Sequence, residues 1–223
     1  VPGADTLWKP AKDGATLRAA FERAWGVTIP PKRGLNLSGM FVAMARGAMK
    51  ALYVIGENPM RSEADQLRTR RLLEGLECLV VQDISLTATA EVADVVLPAA
   101  AGWCESEGTV TSSERRVQRV RMAIPPPAGA RDDLDILFDL ARRLGHDWGH
   151  PDSEAIWNEV RRLSPVHAGM SYARLEAEGG LQWPCYDEAH PGEAFLHGRL
   201  WDRPVRGPRA PFSVVEHALP VDT

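Results

Sequence analysis

Three short apolar runs within residues 51–98 constrain the fold more than any other feature. Ala51-Leu-Tyr-Val-Ile55 stops abruptly at Gly56, Leu79-Val-Val-Gln-Asp83 follows, and Ala93-Asp-Val-Val-Leu97 closes on Pro98. Each is strand-length and rich in β-branched residues. Between the first two, Arg61 to Gly75 has helix-forming composition and a glycine stop, with Leu67, Leu72, Leu73 and Leu76 as expected core contacts. Strand, polar turn, helix, strand reads as a parallel βαβ unit, and ligands of such sheets bind beyond the carboxyl ends of the strands. Gly56-Glu57-Asn58-Pro59 and Gln82-Asp83 are thereby expected at the rim of a nucleotide site.

The flanking segments supply helices. Leu17, Ala20, Phe21, Ala24 and Trp25 share one helical face, ended by Gly26. A second helix is expected from Ser38 as N-cap, with Phe41, Met44, Ala45, Ala48 and Met49 on one face. Ser85 to Val92 reads as about two helical turns, Ala99 to Thr111 as a loop, and Val117 to Val120 as an edge strand. Asp132-Asp133 opens the clearest helix, with Leu134, Leu137, Leu140, Ala141 and Leu144 inward and Gly145 as stop. Further helices are expected over Ser153 to Leu163 and Ser171 to Glu178. Val1 to Asp13 reads as a surface lead-in, and the proline-rich stretch from Trp183 as an extended tail. The expected organisation is N-terminal helices packing on the sheet over 1–50, a nucleotide-binding α/β core over 51–165, and a tail over 166–223 that packs on other domains.

Composition narrows the function classes. A chain of 223 residues with 44% hydrophobic and 25% charged content has ample length for a buried core. A net charge of −4 offers no electrostatic case for nucleic acid. No apolar run approaches the roughly eighteen residues of a membrane span, and no signal peptide is visible at Val1-Pro-Gly-Ala-Asp. Cys78, Cys104 and Cys185 are far apart with no CxxC, which fits a reducing, cytoplasmic setting better than a disulfide scaffold. The missing initiator methionine hints at a piece of a longer protein.

The candidate site residues each have a plainer alternative. Gly56-Glu-Asn-Pro is either a backbone approach to a ligand or an ordinary turn. Gln82-Asp83, twenty-six positions after Gly56 when counted to Gln82, is either a ribose contact or a solvated loop pair. Asp132-Asp133 reads first as a helix cap. A carboxylate there also matches the paired N1–H and N2–H donors of guanine. Glu114-Arg-Arg-Val-Gln-Arg-Val-Arg121 is either a phosphate grip or a charged edge strand. His146 and His150 lie four apart, but Gly145 and Gly149 break the helix a metal site would need. Neither the histidines nor Cys104 has a legible catalytic partner.

Several of these strings in order resemble the molybdopterin oxidoreductase superfamily, most closely the catalytic subunit of molybdenum- or tungsten-dependent formate dehydrogenase. They are Ala51–Pro59, Leu79-Val-Val-Gln-Asp-Ile-Ser-Leu-Thr87, Ala93-Asp-Val-Val-Leu-Pro-Ala99, Glu107-Gly-Thr-Val-Thr111 with Glu114-Arg-Arg-Val-Gln118, and Gly180-Leu-Gln-Trp-Pro-Cys185. The resemblance implies a three-layer α/β fold, a Rossmann-like parallel sheet flanked by helices with an irregular C-terminal extension. It also implies a central fragment of a longer oxidoreductase that oxidises formate to carbon dioxide. This fragment would bind the guanosine diphosphate part of a molybdopterin guanine dinucleotide and be inactive alone, with no catalytic or metal-ligating residue of its own. The implied contacts are Asn58, Ser62, Gln82, Ala99 (through backbone alone) and Asp133, with Asp132 left to cap; Gly56 and Asp83 join them as candidates from their place at the strand ends. An iron–sulfur cluster, the remaining domains of the subunit and electron-acceptor subunits complete the implied enzyme. Two alternatives stay open: a cofactor-free scaffold like the large subunit of respiratory NADH dehydrogenase, and a free-standing nucleotide-binding module.

Overall fold

The computed structural model describes residues 17–30, 32, 34–196 and 214–217; the expected lead-in over Val1 to Asp13 and, of the expected tail, residues 197–213 and 218–223 lie outside the described residues. The first three strands form as expected. β1 (Ala51–Ile55), β2 (Cys78–Asp83) and β3 (Val95–Pro98) make a parallel sheet in the order β1-β2-β3, with Val54 opposite Val81 and Gln82 opposite Leu97. Helices α1 (Leu17–Trp25) and α2 (Leu37–Ala45) precede it, and α3 (Pro59–Ser62) and α4 (Gln66–Glu74) form the β1–β2 crossover. Strand side chains alternate between faces. Val54, Leu79 and Val81 therefore meet Phe41 and Met44 of α2, Met60 of α3 and Leu73 of α4 in one buried cluster.

Local chemistry moves several boundaries. The cap of α2 is Asn36, not Ser38: its Oδ1 accepts from Gly39 N at 2.8 Å, so Ser38 lies inside the first turn. The crossover is two helices, because Asp65 caps α4 afresh by accepting from Arg68 N at 2.8 Å. That restart sets the helical phase, so Thr69 and Leu73 are buried with Leu72 and Leu76 packed beside them. Leu67, expected in the core, is 76% exposed. Between β2 and β3, only Ala90–Val92 is helical, as a single 3-10 turn.

A second sheet replaces part of the expected loop and edge. β4 (Gly108–Thr111), β5 (Arg116–Val120) and β6 (Leu181–Gln182) are antiparallel in the order β4-β5-β6, so β5 is the central strand. The arginines in and beside β5 tolerate that position because each head group finds a partner. Arg115 donates to the carbonyls of Trp183, Glu193 and Ala194, Arg116 and Arg119 pair with Glu114 and Glu107, and Arg121 pairs with Glu176. A phosphate grip by this run is thereby disfavoured.

Helices α5 (Asp133–Arg143), α6 (Ser153–Leu163) and α7 (Tyr172–Ala177) follow. In α5 the buried residues are Ile136 and Ala141, while Leu144, expected inward, is 68% exposed. Val117, Trp157, Met170, Tyr172, Leu175, Leu181 and Cys185 form a second buried cluster, which draws on residues either side of position 165. Trp25 of α1 donates to Glu159 of α6 at 2.7 Å. No described helix is long and apolar enough to cross a membrane.

His167 sits at the edge of this second cluster, 7% exposed, with Nδ1 2.7 Å from Ser164 Oγ and its ring between those of Trp157 and Trp183. Burial pushes its pKa down from 6.5 to about 4. The folded state therefore resists a proton that the unfolded chain accepts. Stability is full above pH 6.5 and falls as pH drops towards 4, by about 3 kcal/mol in all. Urea unfolding at several pH values should show His167→Gln losing less stability than the wild type over that window.

Candidate functional site

The carboxyl ends of β1, β2 and β3 open onto a cleft of about 490 Å³ lined by Gly56, Gln82, Asp83, Ala99 and Asp133, together with Trp103 and Glu107. That volume lies within the roughly 300–1,000 Å³ of small-molecule sites. Gly56 ends β1 at φ +62, where a side chain would be strained, and its N–H donates to Gln82 O at 2.9 Å. The first strand's turn is thus tied to the second.

Asp133 arrives from fifty-one positions beyond Gln82, and backbone pairing brings it there. Ala100 N donates to Arg131 O at 2.8 Å and Arg131 N to Pro98 O at 3.1 Å, so residues just before α5 lie parallel to the end of β3. Asp132 caps the helix, its Oδ1 accepting from Leu134 N at 2.8 Å. The neighbouring Asp133 is left exposed at the cleft.

Gln82 is fully buried, and its amide has both ends engaged. Oε1 accepts from the Tyr53 hydroxyl, and Nε2 donates to Asp133 Oδ1 at 2.5 Å. This chain fixes which way the amide points, so Gln82 orients Asp133 as well as lining the cleft. Burial raises the Tyr53 pKa, and the negative charge of Asp133 raises it further, which keeps the phenol protonated as a donor. Among the described residues, Asp133 Oδ2 has no hydrogen-bond partner.

The other expected residues divide. Asp83 lines the cleft but spends Oδ1 on Ser85 N at 3.0 Å, closing a turn. Ala99 is buried and its N–H donates to Asp83 O at 3.1 Å, leaving the carbonyl. Asn58 does not line this cleft; its Oδ1 accepts from Thr89 Oγ1 at 2.8 Å and Thr89 N at 3.3 Å. Thr89, fully buried, also accepts from Met60 N at 3.2 Å, so the pair pins the β1–α3 turn to the segment after β2. Ser62 lies exposed at the end of α3, outside the cleft.

Most of the remaining lining of the cleft comes from a segment expected only as a loop. Trp103, Glu107, Gly108 and Thr109 line it, from the loop after β3 and the start of β4. Arg119 holds Glu107 through Nη2 and lies over the Tyr172 ring, while its buried Nη1 is unpartnered among the described residues. The string Glu107-Gly-Thr-Val-Thr111 was a signal that this segment matters, but nothing in it says which cleft it lines.

A larger hollow of about 650 Å³ runs beside α5, lined by Arg131, Asp135, Asp139, Arg142 and His150. Its charges are already matched: Asp139 pairs with Arg131, Arg142 and Arg143, and the Arg142 hydrogen bond leads in holding its carboxyl below the usual range. His150 Nε2 lies 2.8 Å from Asp135 Oδ1. The described residues contain no cluster of three or more His, Cys, Asp or Glu able to hold a metal. The cleft at the strand ends is the better candidate, since Asp133 there keeps acceptor capacity for a ligand.

The F420-dependent formate dehydrogenase subunit alpha of Methanocaldococcus jannaschii is 42% identical over 192 residues, covering 85% of this chain and 28% of the relative. Formate dehydrogenase H of Escherichia coli is 35% identical over 214 residues, covering 95% of this chain and 29% of the relative. The chain thus spans well under a third of the curated relatives it matches. Among solved structures, acetylene hydratase from Pelobacter acetylenicus aligns with a TM-score of 0.52 and 25% identity, over 75% of this chain and 23% of its own. The family model described as molybdopterin oxidoreductase matches residues 10–143, which run from before α1 through β1 to β5 and all of α5. With more than half of its length matched, and the strand-end cleft inside the matched part, the chain belongs to the molybdopterin oxidoreductase family.

Proposed function

We propose that the strand-end cleft holds the guanosine end of a molybdopterin guanine dinucleotide, in an oxidoreductase that converts formate to carbon dioxide. The observation that carries this reading is Asp133, exposed at the cleft and oriented by the buried Gln82 amide. Guanine presents two adjacent donors, N1–H and N2–H, where adenine presents an acceptor and a donor. A carboxylate with open acceptor sites satisfies the first pattern and repels the second.

Charge argues for how the nucleotide lies. Glu107 lines the cleft paired with Arg119, whereas Asp83 and Asp133 line it with no cationic partner among the described residues. These carboxylates suit base and ribose donors and repel a diphosphate, so the nucleoside enters and the phosphates stay at the mouth. Gly56, with open space where a Cβ would stand, leaves room for the ligand to approach the backbone. Asn58 and Thr89 keep the adjoining turn in place. Asn58, Ser62 and the Ala99 carbonyl are proposed to meet parts of the ligand beyond the nucleoside.

When bound, the cofactor supplies a molybdenum or tungsten centre able to take two electrons from formate. The residues of this chain bind and orient its nucleotide end and exclude water there; no proton or hydride step is assigned to them. The organisation proposed with this reading is that of the notional core over 51–165, served by helices before it and by a segment after it that meets other domains. An iron–sulfur cluster, electron-acceptor subunits and a cytoplasmic setting belong to the same proposal; the relatives' names describe alpha subunits.

Calorimetry on this chain with GDP and ADP tests the reading. Hydrogen bonds to a charged group contribute about 1.5–3 kcal/mol, so GDP should bind roughly ten- to a hundredfold more tightly than ADP. Equal affinities would rule out guanine recognition.

A further inference from the structure

Trp103 is 66% exposed, yet it lines the same cleft as Gln82 and Asp133. The loop that carries it is pinned. Cys104 N and Glu105 N both donate to Ala101 O, at 3.2 and 2.9 Å, and the Glu105 carboxylate accepts from Ala101 N at 2.8 Å. Cys104 O in turn accepts from Ala123 N and Ile124 N at 2.7 and 3.1 Å. Before it, Ala99, Ala100 and Ala101 are all buried, so the turn has a firm base. The loop therefore fixes the backbone from which an exposed indole stands at the cleft. Gly102 and Gly108, which line the same cleft, both have open space where a side chain would stand, so neither crowds it.

We propose that Trp103 is the stacking face for the purine whose edge Asp133 reads; this rests on the guanosine reading above. The two contacts do different work. Stacking on an indole accepts any base, because every base has a π-face. Hydrogen bonding to a carboxylate at the ring edge selects among bases. Trp103 thus sets how tightly a nucleoside is held, and Asp133 sets which one.

The test is calorimetry with GDP, ADP and inorganic pyrophosphate on the wild type, Trp103→Ala and Trp103→Phe. Loss of one base stack should weaken GDP and ADP alike, by roughly tenfold or more, and leave their ratio unchanged. Phenylalanine should restore most of the affinity, and pyrophosphate should bind all three proteins equally. Because the residue is exposed, the variants should keep the wild-type unfolding temperature, which excludes a folding defect as the cause. Should Trp103→Ala bind GDP within about twofold of a guanine-selective wild type, stacking is overturned while the guanosine reading stands. A GDP-to-ADP ratio that shifts in Trp103→Ala also overturns the division of roles. A wild type without guanine preference overturns both ideas together.

Discussion

Asp133→Asn is expected to exchange guanine preference for xanthine preference. In the wild type, Gln82 Nε2 donates to Asp133 Oδ1. An asparagine keeps that bond by turning its own oxygen towards Gln82, which leaves its amide nitrogen facing the base. Guanine's N2–H donors then meet a donor, whereas xanthine carries a carbonyl at the same position and accepts. Losing the charged acceptor should weaken GDP by roughly ten- to a hundredfold, and XDP should become the tighter ligand in calorimetry. Asp133→Ala is the harsher change, because it strands the fully buried Gln82 amide and adds about 1–3 kcal/mol of destabilisation. In a complete enzyme the alanine variant should also carry less pterin and metal; unchanged occupancy of both would remove Asp133 from the cofactor site.

Gly169→Ala is expected to damage the second core more than any substitution at a partly exposed site. A Cβ there would stand 1.9 Å from Asp187 O, 2.5 Å from Asp187 C and 2.8 Å from Cys185 Sγ. Two of those atoms are backbone and have no rotamer to escape into. The segment cannot simply retreat, because the Arg174 guanidinium clamps it from the other side. Arg174 donates to Gly169 O at 3.0 Å, Asp187 O at 3.2 Å and His190 O at 2.7 Å, and Gly169 N donates to Cys185 O at 2.9 Å. Relief of the clash therefore breaks hydrogen bonds beside buried Met170, Leu175 and Cys185. The cost should reach about 3 kcal/mol, or roughly 6–12 °C in Tm for a chain of this size. Gly34→Ala, with open space around it and no unusual φ, is the control and should shift stability by less than about 0.5 kcal/mol. Equal Tm values for the two variants would show that segment 185–190 yields freely.

Both effects depend on contacts between distant parts of the chain, and that separates what was legible from what was not. The first sheet was legible because its signal is local: short β-branched runs closed by Gly56, Asp83 and Pro98 read as strands, and a crossover between adjacent parallel strands needs a helix. The capping role of Asp132 was legible for the same reason, since a cap acts on the residues directly after it. The phase of α4 was not, because Asp65 restarted the helix and turned Leu67 to solvent. The central place of β5 was hidden too: arginine-rich composition signals an exposed edge, and only the arrival of Glu107, Glu176 and β6 from elsewhere neutralised those charges. The cleft shows the same division. Residue order alone placed Gly56, Gln82 and Asp83 at strand ends, where any parallel sheet collects its ligand-facing turns. Tertiary structure decided that Asn58 is spent on Thr89, that Arg131 pairs beside β3 and delivers Asp133 to Gln82, and that Trp103 lines the same cleft. The physical reason is that hydrophobic period and capping are set by neighbours a few residues away, whereas a site needs side chains whose meeting is fixed only when the whole backbone has closed its hydrogen bonds.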